Sequence, residues 1–247
     1  MESKESLALV SDDEPQNWLC GTSLLDLEDP KLRIRVLRTT QLATSAADKA
    51  VRVHDFIKSL PFGYVPDSQN VRSGLVLKAG MGDCHSKGTL FVSMLRLLGI
   101  PARLRFVLLS SKFLEGIITL PGMQITHAIA EAYLGGKWIQ VDTYVTDEIF
   151  ESHARGLLRA KGRTLGFGVH AEAQRYWTGH TSAHGQYTVL DSQSLPIRDL
   201  GVAHDPEHFY QCNANAAVQN RWLNRLKLSI AAKVINHRVK KIRASAL

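Results

Sequence analysis

The sequence predicts an α+β fold, one buried helix opening at Cys84 and packed on an antiparallel sheet. Three observations predict it. Leu90, Phe91, Met94, Leu95, Leu97 and Leu98 surround a helix on most of its sides, the pattern of a central element. From Ala102 to Leu109, Leu104, Phe106 and Leu108 alternate against Arg103, Arg105 and Val107, which is the period of a strand. Two more strand-like runs, Thr126–Leu134 and Lys137–Val145, are separated by Gly135-Gly136 alone, a two-residue hairpin signal.

The elements follow in order. Residues 1–30 are polar, and Asp12-Asp13-Glu14-Pro15 reads as a loop. Ser45-Ala46-Ala47-Asp48 has the spacing of a capping box, with Asp in place of Glu. Behind it Ala46, Ala50, Val53, Ile57 and Leu60 make one apolar stripe, and Pro61 ends that helix. Residues 62–80 read as a long loop rich in Gly, Pro, Asp, Ser and Asn. Gly99 and Pro101 close the helix that starts at Cys84. Asp147–Lys161 reads as a helix and Tyr187–Leu190 as a further strand. At the C-terminal end Leu228, Ala231, Ile235, Val239 and Ile242 form a stripe spaced 3, 4, 4 and 3, an amphipathic helix expected to dock on the core.

Composition excludes several classes. With 247 residues, 45% apolar and 21% charged, the chain can bury a core and is not a disordered polymer. Three cysteines cannot staple a secreted scaffold, and their odd number leaves a free thiol. No run approaches the roughly 18 apolar residues of a membrane span, and Met1-Glu2-Ser3-Lys4-Glu5 does not open a secretory signal. A cytoplasmic protein is expected. The net charge of +7 is uneven: residues 1–30 carry eight acids and one base, and residues 221–247 carry eight bases and no acid. Such a tail suits an acidic partner or an anionic surface, or is simply a solvated helix face.

The chemistry centres on Cys84. With Asp83 as N-cap, the thiol sits at the first helical position, where unpaired N–H groups and the helix dipole favour a thiolate. Gly80-Met81-Gly82 before it permits close backbone approach to a ligand. In a hairpin turning at Gly135-Gly136, Leu134 pairs with Lys137, Tyr133 with Trp138, and Ile129 with Asp142. His127 and Asp142 then become diagonal neighbours on one face, within reach of each other. A carboxylate there can fix one imidazole tautomer and stabilise the imidazolium.

The segment from Gly82-Asp83-Cys84-His85-Ser86-Lys87-Gly88 through Gly99-Ile100-Pro101-Ala102-Arg103 resembles the nucleophile segment of the transglutaminase-like superfamily. His127-Ala128-Ile129-Ala130-Glu131-Ala132-Tyr133 is similar to its His-Ala-x-x-Glu strand, and Trp138-Ile139-Gln140-Val141-Asp142 to its Trp-x-x-x-Asp strand. The resemblance covers about residues 45–145 and is that of a small stand-alone member of prokaryotic type. It implies a papain-like triad on the α+β fold, with Cys84 as nucleophile, His127 as base and acid, and Asp142 as orienter. Charge, the C-terminal stripe and the resemblance together give an expected layout of an acidic segment (1–30), a catalytic domain (31–210) and a basic helix (211–247).

The expected function is cysteine-dependent acyl transfer on an amide or thioester, through a thioester intermediate. The substrate is a peptide, a protein, an acyl carrier or a small amide, and the acceptor is water or an amine. The Cys84 N–H is the first oxyanion donor; Tyr64, Gln69 and Asn70 are candidates for the second. The rival reading is a non-catalytic binding module on a degenerate scaffold of the same fold. His204, His208 and Cys212 at i, i+4, i+8, and His180 with His184, have helical metal-ligand spacing. Surface histidines are the commoner explanation, and no metal site is assigned. With no phosphate-loop motif, no cofactor is expected, nor is nucleic acid as a partner.

Overall fold

The computed structural model describes residues 14–212 and 221–245, the stretch 221–231 by its backbone alone. The elements run α1 (Pro30–Thr40), α2 (Ala46–Ser59), α3 (Ser73–Ala79), α4 (Cys84–Leu97), β1 (Ala102–Ser110), β2 (Gln124–Leu134), β3 (Lys137–Val141), α5 (Glu148–Ala160), β4 (Leu165–Gly166), β5 (Val169–His170), β6 (Arg198–Ala203), α6 (Pro206–Cys212) and α7 (Arg221–Ala244). The main sheet has the antiparallel order β3-β2-β1-β6, and β4 and β5 form a small second hairpin.

α4 is the central helix. Every residue from His85 to Arg96 is buried, and its Leu90, Phe91, Met94 and Leu95 share a core with Ala128, Ala130 and Ala132 of β2 and with Leu104 and Phe106 of β1. Three alanines on the sheet let a helix of large side chains approach closely. α2 lays Ala50, Val53 and Ile57 of its predicted stripe into the same core. Its cap is a shifted version of the expected box: Ser45 Oγ accepts the Asp48 N–H, and Asp48 accepts from Thr44 rather than from Ser45.

The hairpin has the expected register. Leu134 pairs with Lys137, Tyr133 with Trp138 and Ala130 with Val141, around a turn with φ of 59° and 79° at Gly135 and Gly136, a conformation that suits glycine. The third strand is shorter than expected. It ends at Val141, and residues 142–146 turn away; Ala183 bridges Val141, donating its N–H to the Gln140 carbonyl and accepting the Asp142 N–H.

Two other expectations need correction, and two elements went unread. Of the expected loop, Asp12 and Asp13 lie outside the described residues, Glu14 has no regular structure, and Pro15 opens an unread 3-10 turn, Pro15–Leu19, with Trp18 buried. α1 was not legible, because Ile34 and Leu37 on its outer side are exposed and blur the stripe made by Leu32 and Val36. The 62–80 stretch contains α3, seven residues closed by Gly80 in the left-handed region, too short for a period to show. Tyr187–Leu190 is not a strand: Val189 and Leu190 sit exposed in a turn, and the fourth strand is β6.

α7 is docked. Val239 and Ile242 are buried with Phe150, Leu158 and Ile117, and Ile235 packs half-buried beside them. Arg243 reaches Asp147, the N-cap of α5, at 2.5 Å. The Leu228 and Ala231 side chains lie outside the described residues. Among the described residues, no helix is long and apolar enough to cross a membrane.

Candidate active site

The nucleophile turn is built from short-range hydrogen bonds. Asp83 Oδ1 accepts the N–H groups of His85 and Ser86, both at 3.1 Å, and Ser86 Oγ accepts the Asp83 N–H at 2.9 Å, a complete capping box. Cys84 is therefore the first helical residue, with its own N–H outside the helix ladder. Gly82 and Phe62 form a bridge that ties the turn to the end of α2, and a Cβ at Gly82 would stand 2.6 Å from Ser86 Oγ. Lys87, fully buried, donates to the carbonyls of Leu60, Tyr144 and Val145, fastening α4 to the turn that follows Asp142.

His127 and Asp142 meet as the register requires: Nε2 lies 3.0 Å from Oδ2, with both side chains buried. Asp142 Oδ1 also accepts the Gly185 N–H at 2.7 Å. The Gln186 amide lies 2.7 Å from both carboxylate oxygens, where only its nitrogen can donate. His184 approaches at 3.9 Å. Burial alone would raise the Asp142 pKa. The His127 hydrogen bond, then His184, reverses this and holds the carboxyl well below the usual carboxylate range.

With Nε2 committed to Asp142, His127 Nδ1 is buried and makes no hydrogen bond among the described residues. Burial disfavours charge on both partners. For His127, the Asp142 hydrogen bond and then Cys84 outweigh it, and the pKa rises to about 10. For Cys84, the charge of His85 and the hydrogen bonds of His127 and His85 outweigh it, and the thiol falls to about 6. The two shifts, thiol down and imidazole up, belong to one coupled pair and both favour thiolate with imidazolium.

His85 is the residue that sequence reasoning missed. Its Nδ1 stands 3.4 Å from Cys84 Sγ and its Nε2 3.1 Å from the Tyr210 hydroxyl, supplied by α6. The only local signal was its place beside Cys84; the Tyr210 contact spans 125 residues. Of the three oxyanion candidates, Gln69 is exposed and the Asn70 amide bonds Asp67. Tyr64 is half-buried; burial, then the charges of Asp83 and Cys84, push its phenol up to about 12. Asn236 of α7 holds the Tyr64 backbone by both its N–H and its carbonyl, at 2.7 and 2.9 Å.

The other histidines are dispersed. His204 stacks on His208 with ring centres 5.5 Å apart, its Nδ1 lies 3.8 Å from Cys20, and Cys212 is exposed. His180 is exposed, while His184 belongs to the Asp142 surroundings.

A family model of the transglutaminase-like superfamily matches residues 35–143. Residues 35–143 are thus similar to a transglutaminase-like domain. The fold over this stretch is accordingly of the α+β, transglutaminase-like kind, and the family supports an enzyme of cysteine-dependent catalysis in general terms. A search of curated proteins found no match. Among solved structures, one described as a "Putative Cysteine Protease from Cytophaga hutchinsonii" is 21% identical, with a TM-score of 0.42. The match covers 55% of this chain and 44% of that one. Cys84, His127 and Asp142 all lie within the matched stretch. Gly185, Gln186, Tyr210 and Asn236, which brace the site, lie outside it.

Proposed function

We propose that the protein is a thiol acyl-transfer enzyme that cleaves or exchanges an amide or thioester, with Cys84 as nucleophile, His127 as base and acid, and Asp142 as orienter. One observation carries this reading. A single buried imidazole is bonded to a buried carboxylate at 3.0 Å on one nitrogen and keeps its other nitrogen without a hydrogen bond among the described residues, and the helix-start thiol of Cys84 is near enough to raise its pKa. In that arrangement the thiol proton is held by His127 before substrate arrives, and Asp142 offsets the resulting positive charge.

The thiolate attacks the acyl carbon, and the carbonyl electrons move onto oxygen. The Cys84 N–H at the helix start is the first donor to that oxyanion, and the Tyr64 hydroxyl, which keeps its proton, is the candidate for the second. As the intermediate collapses, His127 gives its proton to the leaving amine or thiol and leaves a thioester on Cys84. His127, now neutral, takes a proton from the water or amine that attacks next. The acyl donor is carried on a peptide, a protein, an acyl carrier or a small amide.

The ionisation state is testable without a substrate. In metal-free buffer, with Cys20→Ser and Cys212→Ser so that one thiol remains, the rate of alkylation by iodoacetamide should rise through about pH 6 and level off by neutral pH. Turnover should fall again on the alkaline side as His127 loses its proton near pH 10. A single alkylation midpoint near 8.5, the value of an ordinary thiol, is the result that contradicts a pre-formed pair.

A further inference from the structure

The His85 ring makes two hydrogen bonds, and one of them ends on the nucleophile. Its Nδ1 stands 3.4 Å from Cys84 Sγ and its Nε2 3.1 Å from the Tyr210 hydroxyl. We propose that His85 is a further catalytic residue: its Nδ1–H donates to the Cys84 thiolate and eases the departure of that thiolate from the thioester, and Tyr210 is the positioning residue that aims the ring. The donor assignment stands on the geometry; the leaving-group role rests on the acyl-transfer reading.

The direction of the bond follows from the sulfur. A thiolate, the nucleophilic form, carries no proton and can only accept. His85 Nδ1 must then carry the proton, whether the ring is neutral or charged. In the neutral ring Nε2 is an acceptor, and the partner it needs is a hydroxyl that keeps its proton. Tyr210 is one, because burial pushes its phenol above the ordinary value. Sequence adjacency does not explain the contact, since neighbours along a helix do not face each other. The imidazole is buried. Its ring packs against Phe106 and stacks on Tyr210, both with centroids 5.9 Å away, and Phe106 stacks in turn on Phe209 at 3.9 Å. Turning the ring over would set carbon against both the sulfur and the hydroxyl. Phe209 and Tyr210 both come from α6. The other titratable groups that interact electrostatically with Cys84 or His85 are Asp83 on the same turn, Tyr64 from the loop after α2 and His127 from β2.

The gain falls in the second half of the reaction. When water or an amine attacks the thioester, His127 takes its proton and the carbonyl electrons move onto oxygen. As that intermediate collapses, the carbon–sulfur bond breaks and its electron pair stays on Cys84. His127 is occupied by the acceptor's proton at that moment, and the His85 N–H meets the charge growing on sulfur. No proton leaves His85. The step ends with thiolate and His127 imidazolium, the pair that starts the cycle.

The test uses the full chain with Cys20→Ser and Cys212→Ser, carrying His85→Phe, His85→Asn or Tyr210→Phe. Alkylation by iodoacetamide against pH reads the thiol. Release of nitrophenol from an activated nitrophenyl ester reads acylation as a burst and deacylation as the slower phase after it. His85→Phe should raise the alkylation midpoint by about one to two pH units, the worth of a hydrogen bond to a charged group. Tyr210→Phe keeps the ring contacts, loses only the hydroxyl and should raise the midpoint by less. Above both midpoints, the burst of His85→Phe should stay at one per chain while its slow phase falls roughly 10–100-fold. Then kcat and KM fall together and kcat/KM is kept. His85→Asn, whose amide nitrogen takes the place of Nδ1, should restore much of both readings. Should His85→Phe not fold, Tyr210→Phe decides by the same two readings. Midpoints equal to the parent's overturn the donor assignment, and an unchanged slow phase overturns the leaving-group role. His85→Asn behaving like His85→Phe would make His85 a packing residue and overturns the proposal as well. A raised midpoint in variants of a parent that shows no burst would sink the acyl-transfer reading and keep the donor. A normal burst with neither reading shifted would sink this proposal alone.

Discussion

Cys84→Ser is expected to bring acyl transfer to the background rate while the thermal midpoint hardly moves, because the exchange removes no buried bulk. His127→Ala should lose comparably, since residues that act as a unit do not contribute separately. Asp142→Asn is the more informative variant. Asp142 accepts from His127, from the Gly185 N–H and from the Gln186 amide. An amide at 142 offers one acceptor and one donor, so either orientation sets a donor against a donor. If nitrogen faces His127, the ring must carry its proton on Nδ1 and can no longer accept the thiol proton. If oxygen faces His127, the Gly185 N–H loses its acceptor. A loss on the order of 10⁴-fold is expected from the tautomer effect alone. Turnover by Asp142→Asn within tenfold of the parental rate would remove Asp142 from the reaction.

Glu131→Ala should produce the largest loss of stability. Glu131 lies on β2, on the same face as His127, and its side chain is 2% exposed. Its two oxygens take Arg103 Nε at 2.6 Å and Arg105 Nε at 2.5 Å, and the Gln140 amide donates to it at 3.0 Å. Arg103 is itself buried, stacked 4.0 Å over the Trp138 ring. Removing the carboxylate takes the Glu131 charge from a buried guanidinium and from Arg105 beside it, and breaking a buried pair in this way costs about 3–5 kcal/mol. Glu131→Gln keeps an acceptor oxygen and should cost less. The check is the denaturant midpoint of the two variants against the parent. A Glu131→Ala protein within about 1 kcal/mol of the parent would mean that water already neutralises these arginines.

What was legible in the sequence was local. Asp83, Ser45 and Asp147 announce the helices behind them because an N-cap acts within four residues. Gly135-Gly136 fixes the hairpin register, and that register brings Asp142 to His127 although β3 stops one residue short of it. The surroundings of these residues were not legible. Gly185 and Gln186 reach Asp142 from an irregular stretch that has no period to read, and Tyr210 reaches His85 across 125 residues. Tyr187–Leu190 shows the opposite failure. Its aromatic and β-branched composition resembles a strand, but Val189 and Leu190 are left exposed in a turn. α7 was read from its stripe, and Val239 and Ile242 are buried as that stripe requires. Its side-chain contact with the active-site loop, Asn236 on the Tyr64 backbone, lies off the stripe.

The most direct measurement is the mass of the enzyme caught during turnover. The full chain, carrying Cys20→Ser and Cys212→Ser, is mixed with an activated acyl ester, quenched in acid and weighed intact, and the adduct is mapped by proteolysis. One acyl group per chain, on Cys84, released by hydroxylamine and missing from the Cys84→Ser and His127→Ala proteins, is the predicted result. A protein that stays unmodified while its Cys84 thiolate still reacts with iodoacetamide, or one acylated equally well without His127, would contradict acyl transfer by this site.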